Sequence, residues 1–292
     1  MVKPMTRALA PLWLGVMALL NASLAWAEDV PAVSADPCTA RMGTARTIEL
    51  DVRGGAEIGT MQYTDTLDLA PGEIVFTFDD GPSPDYTLEI LDTLDTHCVK
   101  AVFFLVGLYA DRHPELVREI WSRGHTVANH TWSHQLLHRV GPVTGGREVE
   151  RGFDAINAAL LGLQTEVGEP AQSAPFFRFP GLNHTRHLRT QLAGDDIAVI
   201  SCDIGTDDWR RISSDSVYQR ALRNIESRGS GVVIMHDTHA RTATALPRLL
   251  DTLAERGYRA VHLTASSHSS TLSHTTQITT QADTDQPHGG EE

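Results

Sequence analysis

Two adjacent carboxylates stand at the end of an apolar stretch of the sequence. Residues 74–78 are β-branched and aromatic, which is typical of a buried strand, and Asp79 and Asp80 follow them directly before Gly81-Pro82. Since Gly-Pro is a turn signal, both carboxylates are predicted at the C-terminal end of a strand, where parallel α/β folds place their chemistry. The alternative is an ordinary strand end that one aspartate caps with a local turn.

A pair of histidines follows a second short strand. His130 and His134 come after the apolar residues 126–128 and are four positions apart, so they face the same way if a helical turn starts there. With a carboxylate from another strand end they form a His₂-Asp set, a common way to hold a catalytic divalent metal. An accidental surface pair is the alternative. The coincidence with Asp79 and Asp80, also at a strand exit, favours a metal site.

Polar residues mark three further predicted strands. Arg178 is placed among three phenylalanines, and its head group needs a partner if it is buried. The alternative is a surface charge, which needs none. His236 stands at the end of a core strand and is either a core histidine with its hydrogen bonds satisfied or a proton donor at the same end of the sheet as the predicted metal site. The residues concerned are Arg178 before Pro180-Gly181, His236 before Asp237, and Asp203 with Asp207, Asp208 and Trp209 beyond it.

The elements that must position these residues form a regular series. From Glu73 onward, apolar strand candidates alternate with amphipathic helical stretches, which indicates βα units around a parallel sheet. The predicted strands are 73–78, 99–106, 126–130, 176–180, 197–203, 231–236 and 259–263. The predicted helices are 86–97, 114–123, 146–162, 185–193, 215–228 and 243–256. Seven strands in series favour an α/β barrel over an open sheet, but periodicity alone leaves closure undecided.

Taken in order, these residues resemble five motifs of the NodB-homology polysaccharide deacetylases, carbohydrate esterase family 4. The motifs are Thr77 to Pro82, His130 with His134, Arg178-Phe179-Pro180, Asp203 through Asp208-Trp209, and Val232 to Asp237. In the fourth motif the spacer between the aspartates is longer than the family's, and we interpret Asp203 as its supporting acid. The resemblance implies a distorted (β/α)₇-type barrel, the NodB-homology deacetylase fold, as a domain over residues 72–265.

The resemblance also implies a role for each motif residue. Asp80, His130 and His134 would bind a divalent metal, zinc in the first place, with cobalt or another divalent ion as alternatives. Asp79, held by Arg178, would be the general base, and His236, oriented by Asp203, would be the proton donor. Gly181, next to Pro180, would contact the oxyanion. Trp209 and Ile234 would line a slot for the acetyl methyl group. Core packing would explain Trp209 and Ile234 equally well.

The implied reaction is metal-dependent hydrolysis of the N-acetyl group of a 2-acetamido sugar, with release of acetate. The acetylated glycan would be a chitin oligomer, peptidoglycan or an exopolysaccharide. Open alternatives are an O-acetyl esterase acting on xylan and a hydrolase of a non-sugar amide on the same barrel. An inactive glycan-binding barrel is disfavoured because base, metal ligands, arginine and acid are all present. A glycosidase is disfavoured because its two carboxylates flank the scissile bond rather than adjoin in sequence.

Charge and the N-terminal sequence bear on partners and compartment. The chain of 292 residues has a formal charge of −13 and no basic stripe, which disfavours nucleic acid and anionic membranes as partners. Residues 1–27 combine basic residues, an apolar stretch too short for a membrane anchor and an Ala-Trp-Ala cleavage site, as a signal peptide does. We therefore expect an exported protein, periplasmic or secreted, with no membrane span after cleavage. No protein partner is evident.

The remaining segments flank the predicted domain. Residues 28–71 are predicted to be an N-terminal extension packed on it, with a strand at 47–52, and residues 266–292 a disordered polar tail. In an oxidising compartment two of the three cysteines can pair. Cys38 with Cys98 is the expected pair because both lie outside the catalytic ends of the strands. Cys202 is predicted to be a small buried strand residue.

Overall fold

Strands and helices alternate along the part of the chain that this computed structural model describes, Cys38 and residues 41–266. The strands are β1 (Thr44–Leu50), β2 (Glu57–Ile58), β3 (Glu73–Asp79), β4 (Val102–Leu105), β5 (Thr126–Asn129), β6 (Phe176–Phe177), β7 (Ala198–Ile200), β8 (Ile204–Gly205), β9 (Gly231–His236) and β10 (Arg259–Ala265). The helices are α1 (Thr87–Thr96), α2 (Gly107–Arg112), α3 (Pro114–Ser122), α4 (Pro142–Leu160), α5 (Arg186–Gly194), α6 (Ser214–Arg228) and α7 (Ala240–Glu255).

Two of the predicted segments fall outside this part of the chain. The signal peptide at 1–27 and the tail from residue 267 onward lie outside the described residues, and so does most of 28–40. None of the helices among the described residues is both long and apolar enough to span a membrane.

The strands pair in parallel around β3. One path of neighbours runs β1-β10-β3-β4-β5-β6-β7-β2, while β9 also pairs with β3, and β8 pairs with β9. The chain passes directly from β7 into β8, so the strands curve toward a circle. Among the described strands, however, no ladder of hydrogen bonds joins the β7–β2 side to the β8–β9 side, and we call this gap the seam. The predicted α/β fold is confirmed, as a barrel distorted at the seam.

Side chains alternate between the two faces of β3. Phe76 and Phe78 pack in the apolar layer shared with the helices, whereas Val75 belongs to the cluster inside the sheet. Thr77 and Asp79 share the inner face with Val75, since they are two and four positions further on. The final inward position of the central strand therefore carries a carboxylate.

Element boundaries differ from the predictions mainly where the chain changes course. Strand β6 ends at Phe177 because a 3₁₀ turn at Pro180–Leu182 follows, and α4 begins at Pro142, a residue suited to the first helical turn. The two-residue strands β2 and β8 and the six-residue helix α2 were not predicted. These elements are too short to show a hydrophobic period.

The described part of the N-terminal extension belongs to the sheet. Strand β1, close to the predicted 47–52, pairs with β10, and β2 pairs with β7. The predicted disulfide between Cys38 and Cys98 is present, with Cα atoms 5.7 Å apart. Cys202 is a free, fully buried cysteine as predicted, but it lies in the link between β7 and β8 rather than in a strand. The disulfide thus ties the start of the described chain to the segment before β4.

One buried side chain bridges the seam. The Oδ1 atom of Asp203 accepts hydrogen bonds from the backbone N–H and the hydroxyl of Thr60, at 2.9 and 2.7 Å. Its Oδ2 accepts from the Thr66 hydroxyl at 2.6 Å and from the Val232 N–H, the second residue of β9, at 2.9 Å. Burial alone would raise the pKa of Asp203, but these hydrogen bonds outweigh it and lower the pKa.

Candidate active site

Asp79 is held by a buried arginine inside the barrel. Arg178 is fully buried, and its Nη1 donates to Asp79 Oδ1 at 2.6 Å and to the Thr77 hydroxyl at 2.7 Å. Its Nε and Nη2 donate to the carbonyl oxygens of Ile200 and Ser201, at 2.9 and 2.7 Å. A buried guanidinium is tolerable only when its donors are satisfied, as they are here. The sequence prediction that Arg178 holds Asp79 agrees with this geometry, and Asp79 Oδ2 remains free of the guanidinium.

Asp80, His130 and His134 form a candidate metal centre. Their ligand atoms lie within 4.8 Å of one another, with Asp80 Oδ1 3.4 Å from His130 Nε2 and 3.1 Å from His134 Nε2. His130 Nδ1 lies 2.8 Å from the carbonyl oxygen of Arg178 and donates to it, so Nε2 is left with its lone pair toward Asp80. The structure therefore brings the three predicted ligands together.

Two observations support a cation at this position. Asp80 Oδ1 is a buried atom without a hydrogen-bond partner among the described residues, which a bound cation would satisfy. Asp80 and His134 both have positive φ angles, 74° and 58°, a strained backbone that recurs at functional sites. Two imidazoles and one carboxylate leave coordination positions open, as catalytic zinc sites do.

The charge state of the trio also suits a cation. Burial opposes ionisation of Asp80, but the two imidazoles next to its carboxylate outweigh burial and hold the pKa of Asp80 below its usual range. The neighbouring Asp80 carboxylate in turn raises the pKa of His134. The carboxylate is thus ionised, as a metal ligand must be, and protons would compete with a metal for His134 as the pH falls.

His236 is paired with Asp208 at the end of the neighbouring strand. The register of β3 and β9 sets Asp79 beside His236. Asp208 Oδ1 lies 2.8 Å from His236 Nδ1, while its Oδ2 accepts from the His236 N–H at 2.8 Å and from the Thr242 hydroxyl at 2.7 Å. Burial lowers the pKa of His236, but the hydrogen bond and charge of Asp208 prevail and raise it to about 9. Protonated His236 is consequently available as an acid at neutral pH.

This contact corrects the predicted role of Asp203. Strand β8 pairs Ile204 with Val233, and the Asp203 N–H donates to the Val232 carbonyl at 2.8 Å, so Asp203 is level with Val232. That is four residues before His236, or roughly 13 Å along a parallel strand. Asp203 therefore bridges the seam, and the acid behind the imidazole is Asp208.

The predicted substrate-binding residues lie on two sides of this site. Pro180 opens the 3₁₀ turn, in which Gly181 has a φ of 60° and a Cβ would come within 3.0 Å of a Leu136 methyl carbon. Ile234 lies two residues before His236 and so shares its inward face. Trp209 follows Asp208 and is 59% exposed, which excludes the core-packing alternative for it.

One buried acid behind the site was not predicted to have any role. Asp237 is fully buried, accepts from the Thr87 hydroxyl at 2.5 Å and faces Gly81, where a Cβ would lie 2.2 Å from its carboxylate. Burial, and then the charge of Asp80, raise its pKa to about 7. The His-Asp pair at the end of an apolar strand was the available signal, and the structure explains why position 81 is glycine.

The fold and site define a class, a parallel α/β barrel that carries an arginine-bound carboxylate, a His₂-Asp trio and a histidine–aspartate pair at the ends of its strands. A family model described as polysaccharide deacetylase matches residues 67–199. A chitooligosaccharide deacetylase of Sinorhizobium fredii is 32% identical over 198 residues, which cover 63% of this chain and 87% of the relative. The chain therefore belongs to the polysaccharide deacetylase family, the NodB-homology proteins of carbohydrate esterase family 4, as its motifs predicted.

Two further relatives carry names that refer to peptidoglycan. A peptidoglycan-N-acetylglucosamine deacetylase of Bacillus cereus is 30% identical over 196 residues, 65% of this chain and 66% of that protein. The solved structure of a peptidoglycan deacetylase of Bdellovibrio bacteriovorus has a TM-score of 0.67 and 31% identity, covering 77% of this chain and 60% of that one. This chain thus spans about two thirds or less of these relatives. The comparisons confirm the predicted enzyme class, a hydrolase that acts on the amide bonds of acetylated sugars.

Proposed function

We propose that this protein is an exported, metal-dependent N-deacetylase of peptidoglycan, chitin-type oligosaccharides or an acetylated exopolysaccharide. The observation that carries the proposal is the unpartnered oxygen of Asp80 between two imidazoles, with Asp79 and His236 side by side on adjacent strands. The names of the relatives support 2-acetamido glycans as the substrate class.

Asp80, His130 and His134 would hold the metal. Zinc suits two imidazoles and a carboxylate, and cobalt is the alternative. When bound there, the metal would polarise the acetyl carbonyl and lower the pKa of a water molecule. The remaining steps of the reaction fall to side chains of this chain.

Asp79 is the proposed general base. Arg178 occupies its Oδ1, so Oδ2 is the oxygen that accepts a proton from the attacking water. Oδ2 lies 3.8 Å from His130 Nε2, at the edge of the metal trio, and its position is fixed because Arg178 is itself fixed by Ile200 and Ser201. The water oxygen then forms the new bond to the acetyl carbon.

His236 is the proposed general acid. Its Nδ1 is engaged by Asp208, so Nε2 delivers a proton to the sugar nitrogen as the C–N bond breaks. The N–H of Gly181 is the proposed donor to the developing oxyanion, and Trp209 with Ile234 is the proposed wall for the acetyl methyl group. The products are acetate and a free amino sugar.

Acetate release tests the proposal. The purified protein is stripped with a chelator, restored with zinc or cobalt, and given chitin oligomers, peptidoglycan or acetylated xylan. Metal-dependent acetate from an N-acetylated glycan supports the proposal, and acetate from xylan alone would indicate an O-acetyl esterase. Tight metal binding with no acetate from any glycan would favour a non-sugar amide, and glycan binding without turnover a binding module.

Two variants separate the base from the metal ligands. Asp79→Asn is expected to keep its metal and lose nearly all turnover, because the amide oxygen is not basic at neutral pH. His134→Ala is expected to lose both metal and turnover, because it removes one of three ligands. Metal analysis of the two purified proteins decides: equal metal content in wild type and His134→Ala would remove His134 from the ligand set.

Export is proposed from two features. The N-terminal 27 residues have the pattern of a signal peptide, and the disulfide between Cys38 and Cys98 is of a kind that persists in oxidising compartments. Expression of the full chain followed by cell fractionation and mass analysis of the mature N-terminus provides the test. Protein retained in the cytoplasm with its N-terminus intact would refute export.

A further inference from the structure

Residues 59–66 of the N-terminal extension, here the 59–66 loop, lie against the active-site end of the barrel. Gly59 has a φ of 109°, and a Cβ there would lie 2.6 Å from the backbone nitrogen of Cys202 and 2.7 Å from the carbonyl carbon of Ser201. The Met61 N–H donates to the Cys202 carbonyl at 3.0 Å. The loop therefore contacts, backbone on backbone, the segment whose Ser201 carbonyl anchors Arg178.

The same loop also reaches the 3₁₀ turn at Pro180–Leu182. The side-chain amide of Gln62 donates to the carbonyl oxygen of Leu182. Gly181 and Leu182 have φ angles of 60° and 54°, and a branched residue in the left-handed region is strained. Such a conformation persists only where the surroundings hold it. Within the turn, the Leu182 N–H donates to the Phe179 carbonyl, and the Asn183 side-chain amide donates to the Gly181 carbonyl at 2.8 Å. Gln62 adds a hold from a segment 120 positions away.

Neighbouring contacts make Gln62 a rigid support. The Tyr63 hydroxyl lies 3.0 Å from His184 Nδ1, and the two rings stack with centroids 5.4 Å apart. Arg189, which forms an ion pair with Glu57, lies over the Tyr63 ring with its guanidinium carbon 5.4 Å from the centroid. Hence the residues on either side of Gln62 are fixed to the barrel.

We propose that Gln62 is a positioning residue of the deacetylation reaction. It holds the strained Gly181–Leu182 turn so that the N–H of Gly181 faces the oxyanion that develops on the acetyl carbonyl. The inference rests on the proposed deacetylase function and makes the N-terminal extension a part of the active site. If the extension only packed on the barrel, loss of the side-chain amide of Gln62 would not affect turnover.

The test compares three variants. Gln62→Glu keeps the size of the side chain and removes the donor; Gln62→Lys restores a donor of similar reach; Gln172→Glu is the matched control at an exposed position outside the site. In Gln62→Glu, kcat is expected to fall about tenfold, less than the roughly hundredfold cost of losing an oxyanion donor outright. KM, metal content and melting temperature are expected to match wild type, and Gln62→Lys is expected to recover most of kcat.

Hydrogen exchange gives a readout that does not depend on activity. The peptide spanning residues 180–185 is expected to exchange faster in Gln62→Glu than in wild type or Gln172→Glu. Unchanged exchange, unchanged kcat, or a loss explained by a lower melting temperature would each overturn the inference. If wild type released no acetate from any glycan, the proposed function and the catalytic role of Gln62 would both fall, while faster exchange would still support its hold on the turn.

Discussion

Replacement of Asp208 by asparagine tests the assignment of the acid pair. Asp208→Asn keeps the shape of the side chain and an oxygen for the His236 N–H and Thr242, but removes the negative charge beside the imidazole. That charge and its hydrogen bond oppose burial and raise the pKa of His236 to about 9. Without them the pKa of His236 falls toward its ordinary value near 6.5, because burial is then opposed only by the weaker effects of the Asp80 and Asp79 charges.

The size of the effect depends on pH. His236 must be protonated to act as the acid, so activity is lost as the pH rises through its pKa. At pH 8 a group with a pKa near 9 is about 90% protonated, whereas a group with a pKa near 6.5 is about 3% protonated. The activity of the variant is therefore expected to be roughly thirtyfold lower than that of wild type at this pH. At pH 6 the second group is still about three quarters protonated, and the loss is expected to be less than twofold.

The assay is kcat/KM for acetate release between pH 5.5 and 9.5 with saturating metal. Asp203→Asn is the matched control: it neutralises another buried aspartate in the same segment but leaves His236 untouched. We expect the alkaline limb to move to lower pH in Asp208→Asn alone. An unshifted limb in Asp208→Asn, or an equal shift in both variants, would refute the assignment.

Three further predictions concern buried charges and the disulfide. Arg178→Met leaves Asp79 buried and unpaired, and is expected to cost about 3–5 kcal/mol in the free energy of unfolding by denaturant titration; a cost below about 1 kcal/mol would contradict the buried pairing. Asp203→Asn is expected to lose about 1–3 kcal/mol at pH 7 and less near pH 3, since its lowered pKa stabilises the fold above the unfolded value near 3.9 and that contribution is lost as the pH falls through the folded one. Replacing Cys38 and Cys98 together by serine opens a link across 60 positions and is expected to cost about 4 kcal/mol; an unchanged denaturation midpoint would show that the link is dispensable.

The parts of the site that could be predicted depend on local sequence. Asp79, Asp80 and His130 each follow an apolar strand and precede a turn, and strand ends in a parallel sheet meet at one edge. Their convergence was therefore predictable before the register was known. The structure confirms it through contacts of 3.1–3.4 Å between Asp80 and the two histidines.

The parts that could not be predicted depend on register and on distant contacts. Which aspartate supports His236 is decided by the alignment of β8 with β9, and a two-residue strand has no period from which to deduce that alignment. The contact of Gln62 with Leu182 joins segments that no pattern in either one relates. In both cases the deciding fact is the position of one short segment against another.

The seam also bears on how this barrel can change over evolutionary time. Ladder hydrogen bonds are made by the backbone and survive almost any substitution, whereas the side-chain contacts across the seam centre on one carboxylate and the two threonines bound to it. A single codon change at position 203 can therefore loosen the seam while every strand pairing, and the backbone contact of Met61 with Cys202, is kept. Such a junction lets a lineage exchange the segment beside the active site without redesigning the barrel that carries the chemistry.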